Sequence, residues 1–202
     1  MDKNSKIVNN KIIFDDYHIH TNITDGSLFP KEIIMEAKKI GIKNIAFTEH
    51  IRKISTYDWF KFRDEVLNFK PKGINIAVGI ETKVLNSEGE LDASIDILES
   101  ADIILGSVHG KQNVEYLLNS DCDIIAHPQI TMTNIDKFLD CDKVLEINFK
   151  HQLEDNLIRK LIESRKNRFS FGSDTHKLED LENGQRYFSD LNKRYKIRKY
   201  KI

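Results

Sequence analysis

Cysteine, proline and glycine are scarce in this chain, at two, three and nine among 202 residues. Two cysteines cannot build the disulfide framework of a small secreted domain, and Cys122 and Cys141 match no Cys-x-x-Cys metal spacing. Each stands beside an aspartate just before an expected strand, which reads as a pair of reduced thiols near the core. No linker-like or low-complexity stretch divides the chain. No apolar run approaches the roughly 18 residues of a membrane span, and residues 1–10 hold no signal-peptide core. A cytoplasmic protein is expected. Excess charge of one sign is missing too: 31 basic residues face 32 acidic ones, for a formal net charge of −1. No bulk field therefore draws the chain to nucleic acid or to an anionic membrane.

What is present is repetition. Seven short apolar runs end abruptly in His, Glu or Asp, and those endings hold six of the seven histidines. The endings are Asp16, His18 and His20; Glu49 and His50; Glu81; His109; His127; Glu146 and Asn148; and Asp174 and His176. Between the runs lie amphipathic segments. Pro30 opens a helix over 30–40 whose Ile33, Ile34, Ala37 and Ile40 form one stripe, and Gly41 ends it. Strands are expected over 42–47 and 74–80, and a second helix over 57–69. A short extended excursion at Val84 and Leu85 and a turn over 86–89 follow the third strand. Further helices are expected near 91–99, 113–119, 134–139 and 153–166, with strands between them.

Short strands rich in Ile and Val, separated by helices, argue for a parallel α/β sheet. Seven such units favour closure into a barrel, whose functional groups sit at the C-terminal strand ends. An open doubly wound sheet also fits the pattern, but it gathers ligands from only two or three strands at a switch point. At 202 residues with 40% apolar content, the chain is sized for one domain with a real core. The division expected is a polar extension over 1–10 and a single barrel domain over 11–202.

The endings carry the chemistry. Neutral imidazole and carboxylate are ligands for zinc, manganese and iron. Asp16, His18 and His20 alternate along a strand and so share one face. Taken alone, that triplet fits the polar face of an exposed strand equally well. Glu81 closes a wholly apolar strand, where a lone buried carboxylate would cost many kcal/mol. One histidine at a strand end is usually a hydrogen-bonded core residue; several on successive strands are not well explained that way.

As an ordered set, Asp16 to Thr21, Thr24 to Gly26, Thr48 to His50, Gly79 to Glu81, Ser107 to His109, Ala126 to Pro128, Glu146 to Asn148 and Gly172 to His176 resemble the motifs of the PHP (polymerase and histidinol phosphatase) family. The resemblance implies a distorted seven-stranded (β/α)7 barrel, TIM-like and of PHP type, with three divalent ions, of Zn, Mn or Fe. By motif, a first ion is held by His18, His20, Glu81 and Asp174, with Glu81 bridging to a second that adds His109 and His127. A third takes Asp25, His50 and His176. Asp16 is read as orienting an imidazole, Glu49 as a tolerated replacement for the family's usual aspartate behind the ligands, and Glu146 and Asn148 as lying behind the ligands or facing substrate.

Three divalent ions bring about six positive charges against about three from Asp25, Glu81 and Asp174, a field that suits a phosphate dianion. Metal-held hydroxide attacking phosphorus in line is the implied chemistry. Glu81, Asp174 and His176 are the candidate catalytic groups, though the donor of the leaving-group proton is unnamed. Arg52 and Lys111 are candidate phosphate clamps; as solvated loop cations they fit equally well. His151, the remaining histidine, reads as a surface residue opening a helix. The basic and aromatic tail from Lys193 to Ile202 reads as packing on a barrel edge or as a solvated end.

The leading expectation is a metal-dependent phosphoric ester hydrolase acting on a small phosphomonoester, histidinol phosphate being one possibility. Phosphodiester cleavage and a non-catalytic, metal-stabilised interaction module are the alternatives. The expected partner is a small phosphorylated substrate, not nucleic acid or a membrane. The oligomeric state is not legible.

Overall fold

Each Ile- and Val-rich run pairs in parallel with the next along the chain, giving one seven-stranded sheet in the order β1 to β7. The computed structural model describes residues 14–69, 71–108, 114–164 and 169–197. Its first half contains β1 (Asp16–Ile19), α1 (Pro30–Ile40), β2 (Asn44–Ile51), α2 (Trp59–Asn68), β3 (Asn75–Lys83), α3 (Ile95–Ser100) and β4 (Ile104–Ser107). The second contains α4 (Tyr116–Asn119), β5 (Ile124–Ile125), α5 (Ile135–Leu139), β6 (Val144–Asn148), α6 (Asp155–Ser164), β7 (Phe169–Gly172) and α7 (Leu178–Tyr195). Strand order that follows chain order, with a helix in each crossover, is barrel topology.

The seam closes just past β7. Ile19 bridges Thr175 in parallel. The amide of His20 donates to the carbonyl of Thr175 at 2.9 Å, and that of Asp174 to the carbonyl of His18 at 2.9 Å. The barrel is therefore nearly complete, and the candidate residues at the two ends of the sequence become neighbours across the seam.

Local chemistry explains most boundaries. Pro30 sits in the first turn of α1, the Glu32 carboxylate accepts from the Phe29 amide at 2.8 Å, and Gly41 ends the helix at φ 93°. Asp58 caps α2 by accepting from the Lys61 amide at 3.0 Å. The helices cover two main apolar clusters. One lies under α1 and α2 and includes Ile33, Ile34, Phe47, Trp59 and Phe62; the other, under α5, α6 and α7, includes Phe138, Leu157, Phe171 and Phe188.

Three expectations need correction. First, β2 and β3 do not stop where the side chains turn polar. They run on through Glu49, His50 and Glu81, with His50 opposite Glu81 in register, because a parallel ladder is made by the backbone and not by side chains. Second, α3 starts at Ile95, not near Leu91, because Leu91 forms an antiparallel bridge with Val84 and the Asp92 amide donates to Lys83. That bridge is the short excursion expected after the third strand.

Third, the longest helix was missed. The 18-residue α7 buries Leu181, Gly184, Gln185, Phe188 and Leu191 on one face. Phe188 meets Phe171 edge to face at 4.9 Å between centroids and lies 6.1 Å from Phe14. Gln185 clamps Phe14 by accepting from its amide at 2.9 Å and donating to its carbonyl at 2.8 Å. The helix thus fastens the start of β1 against the end of β7. Of the tail, Lys193 to Tyr195 belong to α7 and Ile197 is buried, while 198–202 lie outside the described residues, as do 1–10. Among the described residues neither cysteine is in a disulfide, and no helix is long and apolar enough to cross a membrane.

Candidate metal centre

Side chains from strand ends on both sides of the seam meet in one cup. His18 and His20 leave β1 on one face, and their Nε2 atoms lie 3.0 Å apart. Glu81 Oε2 is 3.4 Å from the first and 3.5 Å from the second; Asp174 Oδ1 is 4.0 Å and 3.7 Å away. Zinc bonds of about 2.0–2.2 Å in a tetrahedron separate ligand atoms by about 3.3–3.6 Å. The two Glu81 contacts match that spacing, while the His18–His20 pair is closer and the Asp174 contacts are wider.

Glu81 is the hub. Its Oε1 lies 2.9 Å from His127 Nε2, and its Oε2 lies 3.0 Å from His50 Nδ1. With 1% of its side chain exposed, it is a carboxylate withdrawn from water and encircled by His18, His20, His50 and His127. At the outer edge Asp25 joins His50, at 3.3 Å, to His176, at 3.3 Å. Among the described residues, three groups of donors converge closely enough to hold an ion: His20, Asp25, His50 and His176; His18, Glu81 and His127; and His18, His20 and Asp174. His109 and Lys111 lie outside the described residues.

The electrostatics suit cations. Burial opposes charge on His18, yet the Glu146, Asp174 and Glu81 carboxylates outweigh it and hold that imidazole well above the usual histidine range. Burial pushes His20 well below it, helped by His18. Burial also opposes charge on Asp174, but the His18, His127 and His176 imidazoles bring it below the usual carboxylate range. His20 Nδ1 is buried without a hydrogen-bond partner among the described residues. The donor set and its convergence fit divalent ions.

Backbone strain is concentrated here. Among the described residues only His127, at φ 29°, Asp174, at φ 56°, and Lys196, at φ 52°, are non-glycine residues with positive φ. The first two lie just past β5 and β7 and carry donors. Such conformations disfavour L residues and persist where surrounding contacts over-determine them. The Glu146 carboxylate supplies one such contact by accepting from the His127 amide at 2.6 Å.

Behind the donors, the expectations hold unevenly. Glu146 Oε1 lies 2.7 Å from His18 Nδ1, and Asn148 Nδ2 donates to Glu146 Oε2 at 3.1 Å. Glu49 accepts from the Thr21 amide at 2.8 Å and the Thr24 hydroxyl at 2.5 Å, fixing the loop that carries Asp25. Asp16 was read as orienting an imidazole; instead its Oδ1 accepts from the backbone amides of Ser173, at 3.0 Å, and His18, at 3.3 Å. It pins the seam, and Glu146 does the orienting. Arg52 donates to its neighbouring Ile51 carbonyl at 2.6 Å and lies 3.8 Å from Asp92.

Two residues of the site escaped sequence reasoning. His151 is not in a helix, which starts at Asp155; its ring lies 4.7 Å from that of His127 and its Nε2 is 3.6 Å from Asp174 Oδ2. Lys150 Nζ lies 2.9 Å from His176 Nδ1 and 3.0 Å from Asp180. The signal that finds them is proximity to Asn148, since residues just past a barrel strand end face the mouth.

Fold and cup together define a seven-stranded parallel β/α barrel with a histidine–carboxylate cluster at its C-terminal mouth. The chain belongs to the PHP domain family, whose profile matches residues 16–135. A probable phosphatase from Thermoanaerobacter sp. (strain X514) is 28% identical over 192 residues, covering 80% of this chain and 78% of that protein. A probable phosphatase from Clostridium novyi (strain NT) is 30% identical over 129 residues, covering 56% of this chain and 52% of that one. Among solved structures, histidinol phosphate phosphatase from Lactococcus lactis, complexed with zinc, L-histidinol and phosphate, superposes with a TM-score of 0.64 at 17% identity, covering 92% and 95% of the two chains. That likeness is one of fold.

Proposed function

We propose that this protein is a metal-dependent phosphoesterase that hydrolyses a small phosphomonoester. The observation that carries the reading is Glu81: a buried carboxylate within 3.5 Å of nitrogens from His18, His20, His50 and His127. In this reading His18, His20, Glu81 and Asp174 hold one ion. Glu81, His127 and His109 hold a second, and Asp25, His50 and His176 a third. When bound, zinc, manganese or iron at these positions would supply positive charge for the phosphoryl oxygens and a water acidic enough to serve as hydroxide near neutral pH.

The chain's own residues prepare that chemistry. Glu146 holds the Nδ1 proton of His18, so that Nε2 presents its lone pair to the cup. Glu49 anchors the Asp25 loop, and the seam hydrogen bonds fix Asp174 against β1. Asp174, His176 and Glu81 are the groups nearest the reacting atoms. Arg52 and Lys111, now with Lys150, are the cations proposed to meet the phosphate. Hydrolysis breaks the ester P–O bond and forms one from phosphorus to the oxygen of water; the alcohol leaves with a proton that this water released. Histidinol phosphate, sugar phosphates and nucleotides are the candidate substrates. A cytoplasmic setting belongs to the same reading and is supported by Cys122 and Cys141 forming no disulfide.

The test is a phosphate-release screen over those esters and an aryl bis-ester, using protein purified without chelators and supplied with defined metals. Activity on a monoester should vanish with EDTA and return with excess manganese or zinc. His18→Ala and Asp174→Asn should bring turnover to background and lower metal content while far-UV circular dichroism stays native. Asn is the replacement at 174 because it tolerates positive φ. Tight metal binding with no monoester cleaved, or faster cleavage of the bis-ester, would refute the reading.

A further inference from the structure

A cavity of about 370 Å³ lies between the start of α1 and the second half of α2, beside the loop that joins β1 to α1. Ile34, Phe62 and Val66, all buried, form its floor. Ile23, Phe29 and Phe69 stand around its rim and are 39%, 61% and 37% exposed. Large apolar side chains gathered round a hollow and left in water mark an interaction site. Lys31 and Glu65 are the charged side chains among the described residues that line it. The Lys31 ammonium sits 5.9 Å from the centre of the Phe69 ring, and among the described residues neither charge has an ion-pair partner. Lys31 lies in the first turn of α1 and Glu65 in the last turn of α2, where the helix dipoles favour the opposite signs. Helix stability explains neither charge.

We infer that this cavity is an effector site for a free α-amino acid with a large apolar side chain, and that its occupant steadies the loop carrying Asp25. The ligand's carboxylate answers Lys31, its ammonium answers Glu65, and its side chain packs among Phe29, Phe62 and Phe69. A plain acid or a plain amine would meet one charge and leave the other unanswered. The volume falls within the usual small-molecule range of about 300–1,000 Å³. At about 30 Å³ for each water displaced, the hollow admits about a dozen heavy atoms, the size of phenylalanine.

The route to Asp25 is short. In the loop, the Asn22 amide donates to the Leu28 carbonyl at 2.8 Å and the Gly26 amide to the Thr21 carbonyl at 3.0 Å. Asn22 and Ile23 touch the cavity, and Asp25, two residues on, reaches His50 and His176. The Asp25 side chain is 52% exposed, so the loop itself must hold it in place. A ligand wedged against Ile23 and Phe29 braces that loop at both ends and tightens the hold on an ion at Asp25. This coupling rests on the metal-dependent reading; the amino-acid site does not. By linkage, the ion strengthens amino-acid binding by the same factor.

The test titrates L-phenylalanine into the chelated full chain and follows the Ile and Val methyl groups by NMR. Saturable shifts are expected at Ile23, Ile34 and Val66. 2-Phenylethylamine, which lacks the carboxylate, and 3-phenylpropionate, which lacks the ammonium, should each bind about fivefold more weakly. Lys31→Gln should erase the advantage over the amine, and Glu65→Gln the advantage over the acid. No saturable shift, or equal affinity for the three compounds, would overturn the assignment. Shifts that follow protein concentration alone would overturn it too, because a second copy of the chain would then cover the hollow. The coupling is read as free manganese by electron paramagnetic resonance, with and without saturating L-phenylalanine. Affinity for the ion should rise about fivefold or more with the amino acid bound, and an unchanged affinity would sink the coupling. If no metal binds and no monoester is cleaved while L-phenylalanine keeps its preference, the phosphoesterase reading fails and the amino-acid site stands.

Discussion

Glu146 Oε1, on β6, lies 2.7 Å from His18 Nδ1, on β1, and reaches it across β7 at the one place where that strand has no side chain. A Cβ built at Gly172 would fall 1.7 Å from that oxygen and 2.6 Å from His18 Cβ. The glycine serves no turn here; it clears the line between a carboxylate and the imidazole it orients.

Gly172→Ala should therefore uncouple the two residues. The added methyl cannot be placed without moving Glu146, and overpacking of this kind costs about 1–3 kcal/mol. Losing the carboxylate behind a ligating histidine typically weakens metal binding by about 10–100-fold. Titration of chelated protein with zinc, alongside urea unfolding, measures both losses. Native affinity in this variant would show that Glu146 does not orient His18.

Glu146→Gln tests the same contact without adding volume. To keep accepting from the His127 amide, the new side chain must turn its amide nitrogen toward His18 Nδ1. His18 would then need its lone pair at Nδ1 and its proton at Nε2, the atom that faces the cup. A fall in zinc affinity of about tenfold or more, with little change in melting temperature, is expected. With the Glu146 charge gone, the His18 ring of the metal-free protein should also give up its second proton at lower pH, which its ¹⁵N shifts follow.

Asp16 and Glu49 should make the stability of the metal-free protein depend on pH. Burial raises the Asp16 carboxyl to about 6 and that of Glu49 to about 7. In the unfolded chain both ionise near pH 4. Between about pH 4 and pH 7 the folded chain thus keeps protons that the unfolded chain has released, so this contribution to stability is present at low pH and is lost as pH rises. The Asp16→Asn, Glu49→Gln double variant should lack it. Across that window the native melting temperature should fall by about 5–10 °C more than the variant's, as read by calorimetry after chelation. Parallel curves would mean that neither group holds a proton in the fold.

Much of the site was legible because its chemistry is written at strand ends. An apolar run that stops at His or a carboxylate signals both a strand and its mouth-facing end, and the run of such endings pointed to His18, His20, Glu81, His127 and Asp174 together. Helix α1 was readable to the residue, since Pro30 and Gly41 bracket its stripe. Helix α7 was equally periodic, with Leu181, Gln185, Phe188 and Leu191 on one face. Its buried face carries Gly184, a poor helix former, and the polar Gln185, which weaken the helical signal in the sequence.

Residue order and residue type by themselves determined the seven alternating units, their parallel pairing and the inventory of metal donors, because periodicity and ligand chemistry are local properties. Only the tertiary structure decided which carboxylate serves which imidazole. Glu146 rather than Asp16 orients His18, and Asp16 spends its oxygen on two backbone amides. Only closure of the seam brought Asp174 to His18, and only the fold-back after Asn148 carried His151 to the cup. Such contacts span up to 157 positions of chain, as between residues 16 and 173, and depend on strand register and on the space left by Gly172. No local pattern encodes a distance of that kind; it exists once the barrel has closed.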